Sequence, residues 1–127
     1  MTNSEVVEAF FTAMAKDDVP TGAALLAPDI EWLNTGLPTV RGRGVFRILK
    51  TLPRLSVEFD FAMHEIDEDG ETVRTQRTDV LRWGPIASRF HAAGDFVVRD
   101  GKIHRWDDRY SMAEVLTGFF RRTVALN

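Results

Sequence analysis

The chain has no cysteine, so it can form no disulfide and has no thiolate for nucleophilic or redox chemistry. It also contains no apolar run near the roughly 20 residues that a membrane-spanning helix needs. Basic residues are not in surplus, because 16 lysines and arginines against 19 acidic residues leave a net charge of -3. Such a balance argues against a nucleic-acid partner. The first residues, MTNSEVVEAFF, lack the basic segment and apolar run of a secretory signal, so we expect a cytoplasmic protein with no membrane partner.

The composition is that of an ordinary soluble domain. The 127 residues are 44% hydrophobic and 28% charged, which is enough to bury one core without metals or disulfides. No repeat, linker or low-complexity tract divides the chain, so we predict a single domain over residues 1–127. The three histidines stand apart, with no HxH or HExxH spacing, and we therefore predict no metal site and no cofactor.

The first third of the chain has the punctuation of helices. Thr2 and Glu5 have the spacing of a capping box, and the apolar residues that follow recur at helical intervals. One proline can open a second helix, the next can close it, and a later glycine precedes a third helix. The predicted elements are a helix from about Ser4 to Ala15, a helix from Pro20 through Leu26 closed by Pro28, a strand from Ile30 to Leu33, and a helix that follows Gly44 and ends at about Leu52, before Pro53.

Beyond Pro53 the apolar period changes from that of a helix to that of a strand. Turn residues separate the strands, which indicates an antiparallel meander with one apolar face. We predict an α+β fold in which the N-terminal helices lie over a strongly curved sheet and enclose a cone-shaped pocket. The predicted elements are strands from Leu55 through Met63 to His64, from Val73 to Trp83, through Phe90 to Val98 and from Lys102 to Tyr110, and a last helix from Met112 to Arg121.

An arginine and an aspartate interrupt the apolar face of the second of these strands. In VRTQRTDVLRW, a period of two places Arg77 and Asp79 on the same face as Val73, Leu81 and Trp83. Moving a charge out of water costs several kcal/mol unless the charge is paired and hydrogen-bonded. The pair therefore indicates a polar site inside an apolar pocket, with a purely structural buried ion pair as the alternative.

The last strand carries a second candidate carboxylate. A period of two places Trp106, Asp108 and Tyr110 on one face and Asp107 on the other. The face with the aromatic residues is the better candidate for the pocket, which favours Asp108. A bulge near the end of the strand would exchange the two aspartates.

Trp32 and Asn34 lie two residues apart and can face the same way. An asparagine side chain has donors and an acceptor and can orient a water molecule. An asparagine before Thr35 and Gly36 is equally explained as a turn former, so this spacing leaves both readings open.

Three segments of the chain, in order, resemble the limonene-1,2-epoxide hydrolases. They are WLNTGLPTVRGR, the RTD of Arg77 to Asp79, and the WDDRY of Trp106 to Tyr110. The resemblance covers most of the chain, and the combination is more specific than any one motif. It implies a nuclear transport factor 2-like (cystatin-like) fold, in which helices pack over a curved mixed, mainly antiparallel sheet around a deep pocket. It also implies a homodimer and a small apolar epoxide as the substrate.

Carried over residue by residue, the resemblance makes Asp108 the base that deprotonates a water and Asp79 the acid that protonates the epoxide oxygen. Arg77 would bridge the two carboxyl groups, and Asn34 would help to hold the water. The departure is Trp32, because the family has a tyrosine there whose hydroxyl contacts the water, and an indole N–H can only donate. The implied reaction adds water in one step and gives a vicinal diol without a covalent intermediate.

Two other functions remain open on the same fold. A ketosteroid-isomerase-like or polyketide-cyclase-like enzyme would use one aspartate as a base on a carbonyl substrate and would need an oxyanion donor. A non-catalytic module would bind a small ligand in the pocket. The wall of that pocket is predicted from apolar side chains of the loops and strands, namely Trp32, Leu37, Phe61, Trp83, Ile86, Phe96 and Trp106.

Overall fold

The computed structural model describes residues 1–121, which form four helices and seven strands in one sheet. None of the helices in this part of the chain is long and apolar enough to cross a membrane. The helices are α1 (Asn3–Ala15), α2 (Val19–Ala23), α3 (Arg43–Arg54) and α4 (Met112–Thr117). The strands are β1 (Leu26–Asn34), β2 (Val40–Arg41), β3 (Val57–Asp69), β4 (Thr72–Trp83), β5 (Ile86–Arg99), β6 (Lys102–Tyr110) and β7 (Phe119–Arg121).

The sheet is mixed but mainly antiparallel. Its strands lie in the order β2, β1, β6, β5, β4 and β3, and β7 pairs with the first residues of β5. The only parallel pair among the described strands is β1 with β6. The predicted α+β fold, with N-terminal helices over a curved mixed sheet, is confirmed. This order places β5 between the two strands that carry the candidate charged residues.

Helix α1 begins where its sequence predicts. The Thr2 hydroxyl accepts from the Glu5 backbone N–H at 3.1 Å, and the Thr2 N–H donates to Oε1 of Glu5 at 2.7 Å, which completes a capping box. The buried face of the helix includes Phe10 and Phe11, and the Phe11 ring makes an edge contact with Phe96 of β5 at 5.6 Å between centroids. The helix therefore closes the core against the inner face of the sheet.

The predictions around the first two prolines of the chain need correction. Helix α2 ends at Ala23, and the chain is already in β1 at Leu26, so Pro28 lies inside a strand and does not close a helix. The parallel pairing with β6 starts early, because Leu26 pairs with Ile103. Pro28 falls between Leu26 and Glu31, where the register of this pair shifts, so its missing N–H is tolerated.

Two further boundaries differ from the predictions. Helix α3 continues through Pro53 to Arg54, and Leu55 is its exposed C-cap instead of the first inward residue of a strand. The last predicted helix ends at Thr117, and β7 takes the place of its final residues. The Gly118 carbonyl accepts from the backbone of β5, and a Cβ at this position would lie 2.0 Å from the Arg89 carbonyl oxygen. The close approach of two backbones therefore stops α4 and starts β7.

Bulges adjust which residues reach the core. The register shifts between Val97 and Val98 on β5, and opposite this point Ile103 of β6 is fully buried, although a strict period of two faces it outward. Nearer the end of β6 the predicted alternation returns, with Trp106 and Asp108 buried. The bulge thus lies before the candidate aspartates, and Asp108 is the buried one of the two.

Candidate active site

Three adjacent strands bring the charged residues together. Arg77 and Asp79 extend from β4 and Asp108 from β6, while Gly94 of the intervening β5 pairs in register with Asp108. The residues Arg77, Asp79 and Asp108 are 0%, 5% and 7% exposed. Each has the inward orientation that the two-residue period predicts. To reach Asp108, the Arg77 side chain must cross β5.

Arg77 is hydrogen-bonded to both carboxylates. Its Nε and Nη2 donate to Oδ1 and Oδ2 of Asp79 at 3.1 and 3.0 Å, which is a two-pronged pairing. The same Nη2 donates to Oδ1 of Asp108 at 3.1 Å. Both oxygens of Asp79 thus contact the guanidinium, whereas Oδ2 of Asp108 is left clear of it. Asp108 is therefore the carboxylate with an oxygen better placed to accept a proton from another group.

The guanidinium is held on its other sides as well. Nη1 of Arg77 donates to the Thr75 hydroxyl at 3.0 Å, and that hydroxyl donates to the Gly94 carbonyl at 3.2 Å. The Phe11 ring lies with its centroid 4.3 Å from Cζ of Arg77, which is a cation–π contact between α1 and β4. These contacts fix the arginine, and through it both carboxylates.

Gly94 provides the space for this crossing. A Cβ on Gly94 would lie 2.6 Å from Oδ1 of Asp108 and 2.8 Å from Nη1 of Arg77. Real Cβ atoms do not approach other heavy atoms so closely, so any larger residue would push the ion pair apart. Sequence analysis did not single out Gly94, although a glycine inside a strand pattern is a signal of close approach.

The charges of the three residues are coupled. Burial opposes the charge of Arg77, but attraction to Asp108 and Asp79 outweighs it and raises the pKa of the guanidinium above its ordinary value. Burial raises the pKa of Asp108 to about 6, with Arg77 opposing and the Asp79 carboxylate adding to the shift. Two carboxylates with one guanidinium carry a net negative charge, which one proton shared by the two carboxyl groups would neutralise.

Asn34 lies next to Asp108. Strands β1 and β6 run parallel here, with Asn34 paired to Asp108 and Trp32 paired to Trp106. Asn34 is the last residue of β1, and its carbonyl accepts from the Leu37 N–H at 3.1 Å, so it also begins a turn. The turn-forming reading is therefore confirmed, and Asn34 also lines the cavity, which the water-orienting reading requires. Its side-chain oxygen accepts from the Tyr110 hydroxyl at 3.4 Å.

Trp32 is stacked on Trp106 with ring centroids 4.2 Å apart and an interplanar angle of 10°. Within residues 1–121 neither indole N–H has a hydrogen-bond partner. The Trp106 N–H falls outside hydrogen-bonding geometry, yet it lies close enough to Asp108 to favour the ionised carboxylate. Both tryptophans line the cavity, where they supply flat apolar wall and no acceptor.

A largely apolar cavity of about 350 Å³ lies between the helices and the inner face of the sheet. Asp79, Asp108, Asn34 and Tyr110 are on its wall, whereas Arg77 lies behind the carboxylates. The apolar lining comes from the inner strands and from all four described helices. Its members include Phe10, Phe11, Met14, Leu49, Leu52, Phe59, Leu81, Phe90, Met112 and Val115.

Part of the predicted pocket wall is wrong. Trp32 and Trp106 line the cavity, but Leu37, Trp83 and Ile86 do not, and these three are 51%, 64% and 40% exposed. Leu37 lies in the turn after β1, and the other two flank the turn between β4 and β5. Phe61 and Phe96 also lie outside the lining and pack in the core against α1. Periodicity gives the face on which a residue lies, but not its distance along the strand from the cavity.

Several cavity residues were missed by the sequence analysis. Leu81 and Phe90 lie on predicted inward faces, so the same period could have found them. Met112 and Val115 belong to α4, and their place on the wall depends on how that helix packs against β5. Only the tertiary arrangement could identify these two.

Comparison with known proteins agrees with this geometry. The sequence profile of the limonene-1,2-epoxide hydrolase catalytic domain matches residues 1–121. The epoxide hydrolase EphG of Mycobacterium tuberculosis (strain ATCC 25618 / H37Rv) is 36% identical over 120 residues, which are 94% of this chain and 80% of the relative. A solved M. tuberculosis epoxide hydrolase similar to the limonene-1,2-epoxide hydrolases superposes with a TM-score of 0.86 at 34% identity, covering 92% of this chain and 89% of the other.

More distant structures share the fold alone. A nuclear transport factor 2-like protein from Burkholderia xenovorans LB400 matches with a TM-score of 0.73 at 22% identity, covering 91% of this chain and 94% of the other. Identity at this level carries no function from one protein to another. The match of the family profile over nearly the whole chain, together with the 36% identical relative, decides the assignment. The chain therefore belongs to the limonene-1,2-epoxide hydrolase family of enzymes, and it has the nuclear transport factor 2-like fold.

Proposed function

We propose that the enzyme adds water to a small apolar epoxide in one step and releases a vicinal diol. The observation that carries this proposal is a pair of carboxyl groups, joined by Arg77, on the wall of an otherwise apolar cavity. Opening an epoxide needs a nucleophile on carbon and a proton on the departing oxygen at the same time. One ionised and one protonated carboxyl group supply both.

In the proposed reaction Asp108 is the base. A water held between Asp108 and Asn34 gives one proton to the Asp108 carboxylate, and its oxygen forms a bond to an epoxide carbon. The carbon–oxygen bond of the ring breaks, and the departing oxygen takes the proton of Asp79. The pair of carboxyl groups still holds one proton afterwards, so transfer from Asp108 to Asp79 restores the starting state. No ester to the enzyme is formed.

The division of roles is supported by the surroundings of the two groups. Asp108 has an oxygen clear of Arg77 and the amide of Asn34 beside it, both of which a water needs. A pKa of about 6 suits a general base, because such a carboxylate is ionised at neutral pH yet more basic than an ordinary one. An apolar substrate that displaces water from the cavity would further disfavour two ionised carboxylates, so the pair would keep one shared proton.

The test is turnover of a panel of epoxides, from limonene oxide and cyclohexene oxide to larger fused-ring epoxides, in oxygen-18 water. We expect wild type to give diol that carries the label after a single turnover, and Asp79→Asn and Asp108→Asn to stay folded and inactive. Asp107→Asn is the matched control, since that carboxylate lies on the outer face of the same strand. Label first found in the protein would indicate a covalent intermediate instead. Diol from no epoxide would favour a carbonyl-directed enzyme or a ligand-binding module.

The pH dependence gives a second test. If Asp108 must be ionised and the pair must keep one proton, kcat/KM falls on both sides of an optimum. The acid limb is expected near pH 6, where Asp108 becomes protonated. Asp107→Asn should leave both limbs in place. A flat profile from pH 5 to 9 would contradict the shared-proton mechanism while leaving hydrolysis itself intact.

The homodimer implied by the resemblance is also a proposal. Light scattering coupled to size-exclusion chromatography should give twice the mass of one chain. A monomeric mass would remove the dimer from the proposal without affecting the site, because every residue used above belongs to one chain.

A further inference from the structure

We propose that Tyr110, the only tyrosine of the chain, is a positioning residue that orients Asn34 and thereby the water that Asp108 deprotonates. The inference rests on the proposed function, and it gives Tyr110 a part that neither the family assignment nor the sequence pattern supplies. Tyr110 would act through Asn34 and not on the epoxide itself.

The position of Tyr110 is fixed by three strands. It is the last residue of β6 and lies two residues beyond Asp108, so both side chains reach the same cavity. Its backbone N–H donates to the Thr35 hydroxyl at 3.3 Å, which ties it to the end of β1. Its ring packs against Phe90 of β5 with centroids 5.7 Å apart. The phenol therefore extends to Asn34 from an anchored ring.

The hydroxyl donates to Oδ1 of Asn34 at 3.4 Å. An amide oxygen has two lone pairs, so Oδ1 can accept from Tyr110 and from a water at the same time. A water that is about to attack carbon must direct a lone pair at the substrate, and both of its hydrogens then need acceptors. Asp108 takes one hydrogen, and Oδ1 of Asn34 is placed to take the other. Tyr110 holds the amide in the orientation that presents Oδ1.

The neighbouring tryptophans cannot replace Oδ1 of Asn34 as the acceptor for the water. Trp32 and Trp106 have only N–H groups, which can donate to a water but cannot accept from it. Burial, and after it the charge of Asp108, raises the pKa of the Tyr110 hydroxyl above its ordinary value. The phenol thus keeps its proton at neutral pH, and so its ability to donate to Asn34.

The test is a double-mutant cycle of Tyr110→Phe and Asn34→Ala, measured on the epoxide that wild type converts fastest. Tyr110→Phe keeps the ring contact with Phe90 and removes only the hydroxyl. We expect kcat to fall about tenfold with KM nearly unchanged, since one hydrogen bond that orients the nucleophile is lost. In the Asn34→Ala background the same change should lower kcat less than about twofold, because the two residues act as one unit.

Thr51→Val is the matched control. It removes an exposed hydroxyl of α3 that donates to the Arg47 carbonyl, on a residue that does not line the cavity. We expect it to keep kcat within about threefold of wild type and to show no coupling to Asn34→Ala. A thermal melt of each variant separates loss of fold from loss of rate.

The outcomes distinguish this inference from the function on which it rests. Wild-type turnover that Asp108→Asn abolishes, with Tyr110→Phe as fast as wild type, would overturn the role of Tyr110 and keep the proposed function. An equal loss in both backgrounds, or a rise in KM with kcat unchanged, would also overturn it, because the hydroxyl would then act independently of Asn34 or on substrate binding. No turnover by wild type would overturn both.

Discussion

Arg77 faces more negative charge than it can neutralise. Two buried carboxylates share its single positive charge, and it donates to both of them at 3.0 to 3.1 Å. A buried net charge is unfavourable, and the simplest relief is one proton on the pair. Burial raises the pKa of Asp108 to about 6, Arg77 opposes the shift, and the Asp79 carboxylate adds to it. The excess negative charge lowers the stability of the folded protein. The same excess favours one protonated and one ionised carboxyl group side by side, which can act as an acid and a base.

At the residue scale, Asp108→Asn should change how stability depends on pH. The Asp108 pKa of about 6 in the folded protein lies above its ordinary value of 3.8, so the folded state binds more protons between these two pH values. The contribution of Asp108 to the wild-type free energy of unfolding is therefore complete below pH 3.8 and is lost as pH rises through 6. Asparagine cannot ionise and avoids this loss.

We therefore expect the free energy of unfolding of Asp108→Asn, relative to wild type, to rise by up to about 3 kcal/mol between pH 4 and pH 8. Urea unfolding at the two pH values measures it, with Asp107→Asn as the control. A difference that stays constant with pH would mean that Asp108 ionises with an ordinary pKa.

Gly94→Ala should disconnect the site by adding a single methyl group. The added Cβ would lie under 3.0 Å from both Asp108 and Arg77, so the guanidinium could no longer cross β5 in its present path. We expect kcat to fall about 100-fold, with a loss of about 1 to 3 kcal/mol in the free energy of unfolding from overpacking. Turnover and urea unfolding measure the two effects. Ala93→Ser adds one atom on the other face of β5 and should change little; wild-type turnover by Gly94→Ala would show that the crossing is not needed.

At the scale of elements, α4 joins the cavity wall to β5. The Glu114 carboxylate accepts from the His91 backbone N–H at 2.6 Å, and the Ser88 hydroxyl donates to the Val115 carbonyl. Met112 and Val115 of this helix line the cavity. The helix has only six residues, which is too short to be stable alone, so these attachments hold it in place.

Glu114→Ala should therefore affect substrate binding more than chemistry. We expect KM for the epoxide to rise about 3- to 10-fold while kcat changes less, because the wall loosens and the carboxylates stay in place. Steady-state kinetics measure both constants. Glu65→Ala, which removes an exposed carboxylate from β3, is the control. A fall in kcat with KM unchanged would contradict this and would indicate that α4 affects the carboxylates.

At the scale of the whole molecule, the cavity separates the two layers of the fold. Its lining includes Phe10 and Phe11 of α1, Leu49 of α3 and Phe59 of the sheet, so a ligand would contact both layers at once. The aromatic rings around it already pack edge to face, with Phe10 and Trp106 at 5.1 Å between centroids. Filling the cavity should therefore stabilise the entire fold.

We expect the diol of the best substrate to raise the melting temperature by roughly 5 to 10 °C when present at about 100 times its dissociation constant. Differential scanning calorimetry measures the shift, and Asp108→Asn should show it as well, since the apolar wall is intact there. Ethylene glycol at the same concentration is the control ligand. An equal shift with both diols would indicate a solvent effect instead of binding in the cavity.

The inward orientation of the charged residues could be predicted because it depends only on local geometry. Side chains alternate along any strand, so VRTQRTDVLRW places Arg77 and Asp79 on the face of Val73 wherever the strand lies. Asp108 follows from the same alternation, since the bulge of β6 comes earlier, beside Ile103. The capping box that begins α1 is equally local, because it involves residues three apart.

The neighbours of these charged residues could not be predicted in the same way, because they come from other strands. Strand order places Gly94 under the Arg77 side chain, and parallel pairing places Asn34 beside Asp108; both relations join residues distant in the chain. The exposed positions of Trp83 and Ile86, predicted as pocket wall, arise because the turn between β4 and β5 extends past the cavity. The alternation of side chains along each strand thus predicts which faces are apolar and which charges turn inward. Which of those charges meet depends on contacts between distant segments, and these follow from the packing of strands and helices and not from the period of any one strand.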